Sequence, residues 1–288
     1  MKRKIYSLLF LLFCLLLISC KKHCIDDEYE YVITNNTGLL CGFKEAHKKG
    51  YSSILVKNGL YDLIEEYKEE FGERYFEKYL TGYNDFKNGF FDTGIFIENM
   101  KVKFEVGSKV VCNYDGDNMN VKNYFSAFST GNNVIIDGLV LESSELRYGI
   151  HADFNTGKDE SYMIIKNCDL SFYDYKGRCQ VLGCGLGEHV NWIIEDNYFH
   201  SDYNEAVLRI HNNVSSDSQS RVVLRNNYID GKGYFLFNNY SSSKLITNIY
   251  VYGNSWISAP KIGYETVGSY DNIKMIEYNN ETRISYEK

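Results

Sequence analysis

His151 and His211 are the side chains of this sequence best suited to exchange a proton near neutral pH, and each has a cation close by: Arg147 in RYGIHADF and Arg209 in EAVLRIHNN. Carboxylates stand equally near, with Asp153 two residues after the first histidine and Glu205 six before the second. An imidazole can act as general base, a guanidinium can neutralise a carboxylate or a developing oxyanion, and two carboxyls can supply the acid and base of an inverting hydrolysis. Both arginines have a plainer role open to them, as ion-pair partners of Asp153 and Glu205. Groups suited to holding a polar ligand surround this set: Glu188 and His189 in CQVLGCGLGEH, Asn212 after His211, and Asn238 with Asn239 in GYFLFNNY.

These stretches must be brought together by a repeat. NVIIDGLVL from Asn133, SYMIIKNCDL from Ser161, NWIIEDNYF from Asn191, SRVVLRNNYI from Ser220 and NIYVYGNSWI from Asn248 align so that Gly138, Asn167, Asp196, Asn226 and Asn254 form one column, with spacings of 29, 29, 30 and 28. A fixed period of this size means stacked units. Three residues earlier, Ile135, Ile164, Ile193, Val223 and Val251 favour strand, and the Gly/Asn/Asp column tolerates left-handed backbone, so the chain bends there. Three residues later, Leu141, Leu170, Phe199, Ile229 and Ile257 resume the apolar signal. The unit reads as strand, bend, strand. Just before the bend, Asp137, Lys166, Glu195, Arg225 and Gly253 alternate in sign, as suits like strands stacked in parallel about 4.8 Å apart. Just after it, Leu139, Cys168, Asn197, Asn227 and Ser255 include asparagines able to bond one another.

Counted from the bend, His151 follows by 13 residues, His211 by 15 and Asn239 by 13. Within two residues of register, His151, Gly183 to Gly187, His211 with Asn212, and Asn238 with Asn239 therefore line one face. The glycines are expected to leave a notch between the histidines. Asp153 and Glu205 would stand two turns apart, about 9.6 Å, at the upper edge of the roughly 6.5–9.5 Å of an inverting carboxyl pair, and Glu188 or Asp202 would give nearer pairs.

Composition excludes other classes. A chain that is 44% hydrophobic and 16% aromatic with a single proline, Pro260, is folded rather than disordered. Residues 1 to 19 carry Lys2, Arg3 and Lys4 before an apolar run from Ile5 to Ile18, which reads as a secretion signal. Leu17-Ile18-Ser19-Cys20 resembles the bacterial lipobox, which implies cleavage before Cys20, acylation of its thiol and a polar tether to residue 30. Lipid chains would then anchor the protein to a membrane, and Lys21, where an inner-membrane retention Asp would stand, points to the outer membrane or cell surface. Loss of the three signal cations takes the net charge from −7 to −10, which argues against nucleic acid as a partner. Cys24, Cys41, Cys112, Cys168, Cys179 and Cys184 remain, without zinc-ligand spacing, and their connectivity is open, Cys179 with Cys184 included. No metal is assigned. Ca2+ is the ion that Asp115 and Asp117 in NYDGDNMNVK would take, if these are more than turn residues.

Upstream of the repeats, GLLCGFKEAHKK (38 to 49) has the period of a short amphipathic helix ending at Gly50, and SSILVKNGLYDL follows as a strand closed by Gly59-Leu60-Tyr61. Residues 61 to 80 read as a helical insertion, and GIFIENMKVKF from Gly94 as a further rung with Asn99 in the bend role. A helix, a strand and a Gly-x-Tyr turn ahead of coiled repeats resembles the opening of pectate-lyase-like right-handed parallel β-helices. That resemblance implies an all-β, single-stranded right-handed parallel β-helix over residues 31 to 288, with a capping helix and coils from about 94 to 280. It also implies a groove that takes a polysaccharide or oligosaccharide. Gly187-Glu188-His189-Val190 and Arg209-Ile210-His211 are partial echoes of polygalacturonase motifs, while the family's aspartate motifs are missing. The expected function is a cell-surface lipoprotein, monomeric, that cleaves a uronate-containing glycan as a lyase or a hydrolase. In a lyase His151 or His211 would be the base and Arg147 and Arg209 the stabilisers. The alternative is a β-helix that binds glycan or a partner without catalysis.

Overall fold

The computed structural model describes residues 28–80, 94–144, 146–152, 160–173, 180–186, 189–202, 206–212, 219–231, 234–239, 246–257, 262–266 and 273–282, with only the backbone of Cys184, Leu186, Asn212, Gln219, Asn238, Asn239, Ile246, residues 262–266 and Ile273. The signal segment, Cys20, Cys24, Asp153, Cys179, Glu188 and Glu205 lie outside the described residues.

Among the described residues the chain winds into a parallel β-solenoid of three sheets, with nine, eight and seven strands. Each turn therefore contributes three strands, not the two read from the repeat. The first sheet includes Val134–Asp137, Ser161–Lys166, Val190–Glu195, Gln219–Arg225 and Ile246–Tyr252; the second includes Val140–Ser144, Asp169–Phe172, Tyr198–Ser201 and Tyr228–Gly231. The third includes Tyr148–Ala152, Gln180–Leu186, Ala206–Asn212 and Tyr234–Asn239. The histidine-bearing stretches thus belong to a third strand. Its sequence, broken by glycine and polar residues, hid it as a separate element. The five aligned copies fill five successive turns, and the coil continues beyond them in both directions.

Alternation settles which side chains face inward. In Ser161–Lys166 every second residue is buried, and the column Ile136, Ile165, Ile194, Leu224 and Val251 is wholly inaccessible. Each such aliphatic side chain contributes roughly 1.5–3 kcal/mol by leaving water. Register pairs Ile135, Ile164, Ile193 and Val223 with Tyr250, a column facing outward. The last copy is thus displaced by one residue from the sequence alignment. Val251 belongs in the core column, and Trp256, buried at 1%, occupies the apolar position expected of Ile257, which is 40% exposed.

The same displacement sharpens the bend between the first and second sheets. Gly138, Asn167, Asp196, Asn226, Gly253 and Asn279 all adopt left-handed φ, between 54° and 80°. A Cβ on Gly253 would stand 2.6 Å from Asn226 Oδ1, which is why glycine serves there. The following residues point inward as Leu139, Cys168, Asn197, Asn227, Asn254 and Asn280. They form a ladder: Cys168 N donates to Asn197 Oδ1 at 2.9 Å, Asn197 Nδ2 to Asn227 Oδ1 at 3.0 Å, Asn227 Nδ2 to Asn254 Oδ1 at 2.9 Å, and Asn254 Nδ2 to Asn280 Oδ1 at 3.2 Å. Asn99 is not part of this column; it pairs in register with the neighbourhood of Asn133, where the chain passes from the third sheet to the first. Outside the bend, Lys103 and Lys166 bind Asp137, and Arg225 binds Glu195, so the alternating column is ion-paired between turns.

Helix α1 (Leu39–Lys49) closes one end of the coil, burying Leu39, Leu40, Phe43 and Ala46, and ends at Gly50 with φ 72°. Gly59–Asp62 is the first strand of the second sheet rather than a closing turn; the corner falls at Lys57 and Asn58. The insertion forms α2 (Leu63–Phe71) and α3 (Phe76–Leu80), and α4 (Met119–Tyr124) occupies the end of the loop around Asp115 and Asp117. Tyr114 fastens that loop by donating to Glu77 at 2.5 Å.

Candidate functional site

The third sheet brings part of the expected set together and corrects its alignment. His151 is in register with Ser129 on one side and Gly183 on the other, and Gly183 with Arg209. The residue opposite His151 two turns along is therefore Arg209, about 9.6 Å away. His211 lies two residues further along its strand, between Gly185 and Asn238. Both histidines face outward, but in different columns, so they do not form a matched pair. Asn212 and Asn239 pair with each other in the adjacent column. His189 stands at the corner where the chain leaves this sheet, exposed and with φ 54°.

The centre of the face is Tyr148. Its ring stacks on the His151 imidazole with centroids 4.2 Å apart and planes 7° from parallel, and the Arg147 guanidinium lies 4.7 Å from its centroid. A Cβ on Gly183 would come within 2.5 Å of the same ring. Glycine on the middle turn is therefore a bed for an aromatic ring, and the expected notch is filled by Tyr148. Arg147 is only 8% exposed, its charge held against a π face as a guanidinium favours. Two buried polar atoms beside this stack have no hydrogen-bond partner among the described residues: Ser129 Oγ, in the His151 column, and Gln180 Oε1, next to Tyr148 in register. Buried groups of this kind are uncommon in folded proteins.

A second cluster, on the outer face of the second sheet, escaped the sequence reading. His200 Nδ1 is 3.3 Å from Asp230 Oδ2 and its Nε2 is 3.1 Å from Asp202 Oδ1, while Tyr198 donates to Asp230 at 2.6 Å and Tyr173 packs on the imidazole at 4.8 Å. Burial pushes the Asp230 carboxyl up, but the Tyr198 hydroxyl, the Gly231 amide and His200 outweigh it and hold the acid below its ordinary value. Both ring nitrogens of His200 are committed to carboxylates, so this imidazole ties turns together rather than meeting a substrate. The register Ser171–His200–Asp230 follows the repeat spacing, so a polar column at that period is the sequence signal for this cluster.

A cleft of about 410 Å³ lies at the capped end, lined by Asp62, Glu65, Glu66, Glu69 and Glu70 with Cys41 and Tyr61. Glu66 there accepts from Leu40 N at 2.7 Å and so caps α1; burial raises its pKa, against the lowering effect of the amides it binds. Among the described residues, no group of three His, Cys, Asp or Glu side chains converges as a metal site. Cys112 and Cys168 are buried free thiols, and Cys41 is an exposed one. Among the described residues no helix is long and apolar enough to cross a membrane. No protein-family model matches the chain, and neither the curated proteins nor the solved structures compared with it give a match.

Proposed function

We propose that this chain is a surface-anchored β-solenoid that binds a uronate-containing polysaccharide along its third sheet and cleaves it as a lyase. The observation that carries the proposal is the stack of Arg147, Tyr148 and His151 over Gly183, with Arg209 in register beyond it. The Tyr148 ring, stacked between neighbours, offers an apolar edge for a sugar to pack on, the imidazole stacked on it offers a base, and two guanidiniums flank the stack.

In the proposed reaction His151 takes the proton on the carbon next to the uronate carboxyl. Arg209 and Arg147 neutralise the carboxylate, so that charge developing on it costs less. The electron pair of the broken C–H bond forms a carbon–carbon double bond to the next ring carbon as that carbon's bond to the glycosidic oxygen breaks, and the oxygen departs with the bonding pair and takes a proton from water. His211, two residues further along the strand from Arg209, would meet the neighbouring sugar. Membership of the right-handed pectate-lyase-like superfamily and lipid attachment at Cys20 belong to the same proposal. The alternating turns and the capping helix support the first, the signal and lipobox sequence the second.

Purified chain incubated with a panel of acidic polysaccharides should release products absorbing in the ultraviolet, as unsaturated uronates do, and lose that activity in His151→Ala. New reducing ends without absorbance would replace the lyase with a hydrolase using Asp153 and Glu205. Tight binding with neither product would leave the non-catalytic binding module. Labelled palmitate should enter the wild-type chain in a bacterial host and fail to enter Cys20→Ser.

A further inference from the structure

Around the corner from this face, the outer side of the first sheet carries a different polar column. Asn191, Arg221, Asn248 and Lys274 are in register on four consecutive turns. A cleft of about 290 Å³ opens beside the first three, with Glu160, His189 and Ser220 completing its polar lining.

What sets this column apart is that its groups are uncommitted. On the same strand as Arg221, Arg225 is tied to Glu195 and Tyr252. Arg221, by contrast, is exposed, has no carboxylate partner among the described residues, and lies over the Tyr250 ring at 5.3 Å. Lys274, also exposed, has no ion pair among the described residues either. The carboxamides of Asn191 and Asn248 make no protein hydrogen bond among the described residues, whereas Asn197, Asn227 and Asn254 spend both ends of theirs on the internal ladder. His189 occupies a left-handed position that asparagine fills at two other passages into this sheet, Asn99 and Asn133, so the chain accepts a strained backbone to present an imidazole at the cleft.

We infer that this column is a second binding strip for an acidic polysaccharide, separate from the third-sheet face. Two cations two turns apart, about 9.6 Å, address charges spread along a polymer rather than a single anion. The amide of Asn248 between them and that of Asn191 on the far side of Arg221 suit hydroxyl groups, each offering donors and an acceptor, and Glu160 accepts from a further hydroxyl. The Tyr250 ring beneath the Arg221 guanidinium, 5.3 Å from its centroid, limits what that side chain loses on binding. The strip rests on the reading that the ligand is an acidic glycan, but not on any catalysis at His151.

The experiment is titration calorimetry of the full chain with alginate, polygalacturonate and a neutral β-glucan, repeated with Arg221→Gln/Lys274→Gln and with His189→Asn, which keeps a residue at ease in left-handed backbone. At least one acidic polymer should bind, the double variant should bind it about tenfold or more weakly with a smaller salt dependence, and His189→Asn should weaken it several-fold at an unchanged melting temperature. Tyr148→Ala/His151→Ala should lose turnover while keeping this binding, so failure of the third-sheet reading stays distinguishable. No binding to either acidic polymer, equal binding of the neutral glucan, or full affinity in the double variant would overturn the strip.

Discussion

Asn227→Ala tests the internal ladder at its centre. The Asn227 carboxamide donates to Asn254 Oδ1 at 2.9 Å and to the Ile194 carbonyl at 2.9 Å, and accepts from Asn197 Nδ2 at 3.0 Å and from the Asn197 backbone amide at 3.2 Å. The residue is 1% exposed, so water does not replace these partners. Four bonds at a net value near 1 kcal/mol each, with the Asn197 amide left buried and unpaired, give a loss of about 3–5 kcal/mol. That is a large share of the stability of an ordinary domain. The assay is urea unfolding of the purified chain followed by circular dichroism, with Asn191→Ala on the outer face as the comparison, expected within about 0.5 kcal/mol of wild type. Because each turn leans only on its neighbours, the variant should also broaden or split the transition, the turns on either side of the break separating in denaturant. A loss below about 1 kcal/mol, or one equal to that of Asn191→Ala, would refute the reasoning and reduce the ladder to decoration.

Gly183→Ala should displace the Tyr148 ring, cost about 1–3 kcal/mol and lower glycan turnover without touching a titratable group; unchanged turnover in the absorbance assay would detach Tyr148 from function. Asp230 has a folded pKa below its ordinary 3.8, so its contribution is present above that value and lost as pH falls through the lower folded one. Acid unfolding of Asp230→Asn should accordingly show a weaker pH dependence below about pH 4 than wild type. Glu66 has a raised folded pKa, so its ionised form is the one the fold disfavours, and stability falls as pH rises through that value. Glu66→Gln, which keeps an acceptor for the α1 amides, should match or exceed wild-type stability at pH 7, while Glu66→Ala should lose about 1 kcal/mol with the cap; melting curves of the two variants decide this.

Periodicity made the solenoid legible, because a column such as Ile136, Ile165 and Ile194 repeats for a physical reason: the same inward pocket recurs on every turn. The bend was legible too, since only Gly, Asn and Asp enter φ near +55° cheaply. What failed was the last copy. In YVYGNSWI either Gly253 or Asn254 can take the bend, and chemistry alone does not choose; the ladder does, by needing Asn254 inside to receive Asn227. The third strand was hidden because its inward residues, Ile150, Leu182, Leu208 and Phe235, are separated by outward residues chosen for neither period nor polarity. At the site, residue types were legible and their contacts were not. That Tyr148 rather than empty space lies over Gly183 depends on a rotamer that no spacing encodes.

The bend between the first and second sheets is two residues long in every one of the five turns, at Gly138-Leu139, Asn167-Cys168, Asp196-Asn197, Asn226-Asn227 and Gly253-Asn254. The connections on either side of the third sheet vary: eight residues from Ala152 to Ser161 but three from Leu186 to Val190, and seven from Phe172 to Gln180 but two from Gly231 to Tyr234. A prism sewn shut along one edge can be tailored only at the other two, and both of those border the third sheet. Differences in connection length are therefore confined to the borders of that one face, while the coil beneath keeps its pitch.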